Sequence, residues 1–255
     1  EGTLGIITEI TLRLKPLPNN VIDLLAIFPT VDQAIAIVTK VIKAGITPTC
    51  VEFMDNATVK SVERFLKTKQ PHSDVGNYVI IQVEGQSEED LEDKSVLLDE
   101  LCMSNGALAV LVADPAKIWH ARKCFLEEAR EESLIQSKED MVVPVNQIAG
   151  LMHEAAKISE KYGLITRIAS HAGDGNVHTN IPVNSDDYEM LHEANEAVAR
   201  IMAIARSLDG VISGEHGIGI TKLEFLSEAE MAPFRAYKQQ VDPNGHFNRG
   251  KLMAG

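Results

Sequence analysis

Two histidines seven positions apart, His171 and His178 in HAGDGNVH, offer a pair of imidazoles across two glycines, an aspartate and an asparagine. D-G and G-N between alternating apolar runs signal a hairpin. His171 is therefore expected to end one strand and His178 to stand a short way into its antiparallel neighbour, with both rings on one side. Imidazole nitrogens suit zinc or another divalent transition metal, and Gly173 and Gly175 allow close backbone approach. A Gly-rich turn with two hydrogen-bonded histidines would account for the same letters without an ion.

A second stretch, GEHGIG at 214–219, supplies a carboxylate, Glu215, followed at once by His216, with Gly214, Gly217 and Gly219 around them. Adjacent residues of an extended chain face opposite ways, so Glu215 can ligate a metal while His216 faces a substrate. Two histidines and one glutamate, with coordination positions left open, make a catalytic rather than a structural ligand set. Glycines this dense also suit a planar cofactor against main chain. A glycine loop with a solvent-exposed Glu-His pair is the plainer alternative.

Positioning these residues requires a scaffold, and the chain offers a regular one. After LKPLPNN, read as a linker, VIDLLAIF (21–28) has strand character and VDQAIAIVTKVIKAG (31–45) has helical spacing, with Thr30 and Gln33 as a capping box and Gly45 as its stop. Strands follow over 49–55, 77–85 and 107–113, separated by a short helix and by an acidic helix capped by Ser87. The order β-α-β-α-β-α-β predicts an α+β fold: a ferredoxin-like, mostly antiparallel sheet with helices on one face. Further helices are expected from Pro115, over 144–163, 186–208 and 228–240, giving a helical C-terminal part around the 164–183 hairpin.

Composition narrows the class. The 255 residues are 45% hydrophobic and 24% charged, enough for a sizeable core and ordinary for a globular protein. A formal charge of -13 argues against a nucleic-acid partner, which needs a basic face. No apolar run approaches the roughly 20 residues of a transmembrane segment. Cys50, Cys102 and Cys124 show no CxxC spacing, so no disulfide framework or thiolate zinc site is expected, and a reducing compartment, cytoplasm or organelle matrix, fits best. The opening EGTLGIITEITLRL reads as the middle of a strand-rich segment, as though sequence had preceded it.

Four motifs in order, EGTLGIITEITLRLKPLP, HAGDGNVHTNI, SGEHGIGITK and VDPNGHFN-x-GKL, resemble the FAD-linked oxidases of the vanillyl-alcohol-oxidase type. The likeness is strongest to the D-lactate dehydrogenase, glycolate oxidase and D-2-hydroxyglutarate dehydrogenase group. It implies that residues 1–18 are the last strand of a truncated FAD-binding domain, 19–240 a substrate (cap) domain, and 241–255 a segment returning to the flavin side. It further implies that His171, His178 and Glu215 ligate a divalent metal, usually zinc, and that His216 is the base removing the substrate hydroxyl proton.

Arg122 matches the arginine that clamps the substrate carboxylate, Lys138 a lysine that helps it, and Asn176 a substrate- or flavin-side amide. Asn248 matches an asparagine close to the flavin, and Gly2, Gly5 and Gly217 fall in the cofactor-side motifs. Where the family usually ends N-P-G-K, this chain reads Asn248-Arg249-Gly250-Lys251. The implied reaction oxidises a 2-hydroxy acid, expected in its D form, to the 2-keto acid, with FAD held mostly by the missing upstream region. Which acid is oxidised, the electron acceptor, and whether the protein is a homodimer or a subunit of a larger oxidase are all left open. Two other classes fit part of the pattern: a metal-dependent hydrolase using the same His/His/Glu set, and a non-catalytic binding module. A surface ion pair of Arg122 with Glu127 or Glu128 is the structural alternative to its substrate role.

Overall fold

The computed structural model describes residues 1–125, 127, 135–183 and 187–251. The chain forms two compact units, Pro18–Ile212 and Glu1–Leu17 together with Ser213–Gly255.

The larger unit is built on one antiparallel sheet. Its elements are β1 (Asn20–Phe28), α1 (Val31–Lys43), β2 (Cys50–Met54), α2 (Asn56–Leu66), β3 (Asn77–Gly85), α3 (Glu88–Ser104), β4 (Ala109–Val112) and α4 (Pro115–Lys123). Then come β5 (Ile135–Val142), α5 (Ile148–Lys161), β6 (Arg167–His171), β7 (Asn176–Val183) and α6 (Tyr188–Ser207). The strand order is β4-β1-β3-β2-β6-β7-β5, and every pairing is antiparallel. The first four strands, ordered 4-1-3-2 with helical crossovers, are the ferredoxin-like layer expected from the sequence. The β6–β7 hairpin and β5 extend that layer from the β2 edge.

Local chemistry explains the element boundaries. Thr30 Oγ1 accepts from Gln33 N at the start of α1, and the chain leaves that helix through Gly45 at φ 83°. Ser87 caps α3, where three acidic residues in the first turn favour the helix dipole. Asp114 accepts from two backbone amides ahead of Pro115, whose missing N–H costs nothing at that position. Central strand β3 has its side chains buried on both faces, so NYVIIQVEG shows a continuous apolar run instead of alternation.

Both faces of the ferredoxin-like half are covered. Leu25, Ile27, Met54, Tyr78, Ile80 and Ala169 form one core cluster with Val59 of α2, Ile118 of α4 and Phe125. The alternate residues Leu24, Ala26, Phe28, Phe53, Val79 and Ile81 are buried too, and α1 and α3 contact β1 and β3. Helices therefore add a second layer to the one-sided cover that alternation suggested. Short connections after β2 and β4 bring α2 and α4 over the Leu25 face.

The smaller unit holds residues 1–17, the loop through 213–222, a single 3₁₀ turn at Leu223–Phe225, helix α7 (Glu228–Val241) and a closing turn. Ser227 and Glu230 form a reciprocal capping box at the start of α7. Residues 5–17, strand-like in sequence, make no strand pairing here, and Ile6, Ile7, Ile10, Leu12 and Leu14 are exposed. No described helix is long and apolar enough to cross a membrane.

Candidate functional site

The β6–β7 register pairs His171 with Asn176 and Ala169 with His178. Side chains alternate across a strand, so His171, Asn176 and His178 share one face. The two imidazoles meet edge to face, with ring centroids 5.1 Å apart. The four-residue connection Ala172–Gly175 brings them together. Asp174 N donates to His171 O at 3.0 Å, and Gly175 takes φ 80°. A Cβ on Gly175 would lie 2.1 Å from Val143 O, so only glycine fits.

A residue the sequence reading passed over completes this cluster. Strand β2 lies beside β6 with Glu52 directly opposite His171. Glu52 Oε1 is 2.7 Å from His171 Nδ1, and the carboxylate is only 7% exposed. An ionised carboxylate can only accept, so Nδ1–H is the donor, and in the neutral imidazole it is Nε2 that carries the lone pair. The other oxygen, Oε2, accepts from Arg122 Nε at 2.9 Å. Arg122 Nη2 lies 2.8 Å from the same oxygen but off the hydrogen-bonding direction, and it is buried without a hydrogen-bond partner among the described residues. The ion-pair partner of Arg122 is thus Glu52; Glu128, one expected alternative, lies outside the described residues.

Helix α4 is fastened over this face at two points one turn apart. Trp119 Nε1 donates to Asp23 Oδ1 at 3.1 Å, and Gln82 Nε2 donates to the same oxygen at 2.9 Å. Arg122, three residues on, reaches Glu52. Cys50 shares the face with Glu52; burial first, then the charges of Glu52 and Asp23, push its thiol up to about 11. A thiol so reluctant to ionise is a poor metal ligand. A cavity of roughly 280 Å³ opens beside His171 and Glu52, lined also by Cys50, Thr49 and Asp174. A larger one, roughly 620 Å³, lies against β4 and α4 and includes none of the candidate residues.

Asn176 heads β7 and is 6% exposed; its Oδ1 is buried and has no hydrogen-bond partner among the described residues. Lys138 on β5 pairs with Asn180, one row along the face from the Asp140–His178 pair. It is partly buried and shares the histidines' face. Arg167 and Asp140 on that face are almost fully buried.

In the smaller unit, Glu215 and His216 are both exposed, in irregular backbone rather than extended strand. Contrary to the opposite-facing arrangement expected of extended neighbours, His216 Nε2 lies 3.9 Å from Glu215 Oε1. Gly217 has φ 84°, and a Cβ there would lie 2.5 Å from Glu1 Oε1. Gly2 also has positive φ, and both Gly2 and Gly5 have open space where a Cβ would lie. Asn248 takes φ 43° and donates through Nδ2 to Glu1 O at 2.8 Å, so its amide joins the two ends of this unit.

The sequence matches, over residues 17–252, the family described as FAD linked oxidases, C-terminal domain. D-lactate dehydrogenase of Anaerostipes hadrus is 33% identical over 266 residues, which cover 99% of this chain and 56% of that protein. The glycolate oxidase subunit GlcD of Bacillus subtilis (strain 168) is 30% identical over 262 residues, 100% of this chain and 55% of that one. The chain spans about half the length of these curated relatives. Among solved structures, 4-ethylphenol oxidase from Gulosibacter chungangensis superposes with a TM-score of 0.70 at 13% identity, covering 94% of this chain and 55% of that one. An alkyldihydroxyacetonephosphate synthase gives 0.64 at 16% identity, covering 97% and 47%. At those identities the structural likeness speaks for the fold.

Proposed function

Because the chain belongs to the FAD-linked oxidases as their C-terminal domain, we propose that it is the substrate-binding part of an FAD-dependent dehydrogenase that oxidises a 2-hydroxy acid to the 2-keto acid. The observation that carries this reading is the pair of imidazoles 5.1 Å apart on one sheet face, with Arg122 held beside them through Glu52. Two relatives, named for D-lactate and for glycolate, point to the same substrate class.

The residues fit a divalent metal, zinc by preference. His171, with Nδ1 bound to Glu52, can offer Nε2, and the His178 ring meets it edge to face; Glu215 is assigned as the third ligand by its place in GEHG. When bound, the metal would act as a Lewis acid on the substrate oxygens and FAD would take the hydride from C2. The protein's own groups do the rest. His216 accepts the hydroxyl proton as C2 loses its hydride, so the alcohol carbon becomes a carbonyl and both electrons leave with hydrogen.

Arg122 is suited to the substrate carboxylate because Nη2, though 2.8 Å from Glu52 Oε2, makes no hydrogen bond among the described residues. Asn176 Oδ1, buried and unpaired among the described residues, can accept from the substrate hydroxyl or from an N–H of the cofactor. Lys138 stands on the same face, where a second carboxylate on the substrate would meet it. The exposed alternation of residues 6–14 suits a strand that completes a sheet of the FAD-binding half.

The test is anaerobic addition of D- and L-2-hydroxy acids to the FAD-loaded full-length protein, with metal analysis on the same sample. Bleaching of the flavin by glycolate, or by one enantiomer of lactate or 2-hydroxyglutarate, is expected. A protein that takes up no FAD yet hydrolyses esters or amides would instead support a metal-dependent hydrolase.

A further inference from the structure

We infer that Glu52 is a positioning residue of this site, one buried carboxylate that fixes both a metal-ligating imidazole and the substrate-binding guanidinium. The inference rests on the reading of His171 and Arg122 proposed above and adds a residue that does not itself touch metal or substrate.

The geometry leaves Glu52 little else to do. It sits in CVEFM, where every other residue is apolar or a thiol, in a strand flanked on both sides by sheet partners. Burying an ionised group there is costly unless it is paired and hydrogen-bonded. Its two oxygens are divided between two clients from different elements. Oε1 receives His171 Nδ1–H across the β2–β6 pairing, and Oε2 receives Arg122 Nε from α4.

The consequences for each client differ. A carboxylate on Nδ1 selects the tautomer whose Nε2 can bind a metal, and it stops the ring from turning over to present Nδ1 instead. For Arg122, the Nε–Oε2 hydrogen bond, with Nη2 2.8 Å from the same oxygen, fixes the plane of the guanidinium over β2. Nη2 is buried and makes no hydrogen bond among the described residues, so the fixed guanidinium keeps donor capacity for a carboxylate brought by the substrate. Trp119 on Asp23 sets the height of α4 over the sheet, so the Glu52–Arg122 span is a fixed distance rather than a flexible reach.

Three variants separate the two clients. Glu52→Gln is nearly isosteric and can still accept from one donor, Glu52→Asp keeps the charge on a shorter stem, and Glu52→Ala removes both contacts. Zinc affinity of the purified protein is measured by competition with a chromophoric chelator, the His171 tautomer by ¹⁵N shifts of the metal-free protein, and KM and kcat on the flavin-loaded protein. Glu52→Ala and Glu52→Gln are expected to weaken zinc binding by roughly 10- to 100-fold, the range for removing a ligand's outer hydrogen-bond partner.

KM for the acid should rise about tenfold or more in Glu52→Ala, the scale of a hydrogen bond to a charged group, and Glu52→Asp should recover part of both losses. The metal-free tautomer should shift from Nδ1–H toward a mixture in Glu52→Ala. A purely packing role would lower thermal stability in all three while leaving zinc affinity, tautomer and KM unchanged, which overturns the inference. Should wild-type protein bind no zinc, the ligand reading fails. The tautomer shift and KM then decide Glu52 alone: a change in both retains it as organiser of His171 and Arg122, and no change in either rejects it.

Discussion

The carbonyl oxygen of Val143 stands 2.1 Å from the point where a Cβ on Gly175 would be. That approach, together with a backbone φ of 80°, ties the chain leaving β5 to the turn between the two histidines. Val143 N donates to Gly175 O at 3.0 Å, so the same pair of residues is also hydrogen-bonded. Gly175→Ala must relieve both the clash and the left-handed backbone. We expect a loss of at least about 2 kcal/mol in denaturant unfolding, given roughly 1–2 kcal/mol for the backbone alone. If the turn shifts, the imidazoles separate and zinc uptake falls with stability. Equal stability and equal zinc content in Gly175→Ala would show that the turn is looser than this contact implies.

The proposed ligand and base roles make a pattern that a single activity assay would miss. His171→Ala and Glu215→Ala should each lose metal and turnover together, since removing one of three ligands from an open site leaves too few donors. His216→Asn should keep metal and substrate binding but lose hydride transfer, by a factor of roughly 10² or more, the contribution of a positioned base. Metal content by mass spectrometry and single-turnover flavin reduction read the two apart. Full metal and full rate in both alanine variants would reject His171 and Glu215 as ligands.

The anchoring of α4 gives a gentler perturbation of the same site. Trp119→Phe keeps the aromatic bulk against the Leu25 cluster but deletes the indole N–H that reaches Asp23. One hydrogen bond to a charged acceptor is lost, so thermal unfolding should report a destabilisation of about 1.5–3 kcal/mol. Arg122 lies on the next turn, and KM for the acid should rise while kcat changes less. A variant that is less stable but has an unchanged KM would mean that Arg122 is held by Glu52 alone.

How much of this was legible in the letters depends on whether the signal was local. The hairpin holding His171 and His178 was, because its turn residues and flanking alternation lie within twenty positions. The ferredoxin-like order was as well, each helix of it opening on a recognisable cap. Strand β5 was missed: IQSKEDMV puts charges on both faces, which hides a period of two, and an edge strand tolerates such charges. Glu52 was missed for a different reason. Its partners are 70 and 119 positions away, so only the sheet register reveals them. The available hint was a single carboxylate inside an otherwise apolar strand, a position where burial demands a partner. The irregular backbone at 214–219 likewise defeated an argument that assumed extended neighbours.

The closing turn of the smaller unit should respond to acid. Asp242 follows α7 and is held by three contacts to its oxygens: Lys238 Nζ contacts Oδ2, Phe247 N donates to Oδ2 at 2.8 Å and His246 N donates to Oδ1 at 2.8 Å, while Lys238 Nζ also donates to Phe247 O at 2.6 Å to close the ring. The hydrogen bond from Lys238, helped by those two backbone amides and working against burial, holds the Asp242 carboxyl down at about 2, below the usual value of 3.8. A carboxyl depressed in the folded state releases its proton there more readily than in the unfolded chain. Its contribution is therefore complete above about pH 4 and is lost as the pH falls from there toward 2. Amide exchange of residues 244–248, followed from pH 6 to pH 2, should stay slow until about pH 4 and then accelerate beyond the intrinsic trend. Asp242→Asn should exchange fast at every pH and lose the acid-dependent step, because its amide can accept from only one oxygen and cannot pair with Lys238 as an ion. Retention of that step in Asp242→Asn would assign the acid sensitivity to another carboxyl.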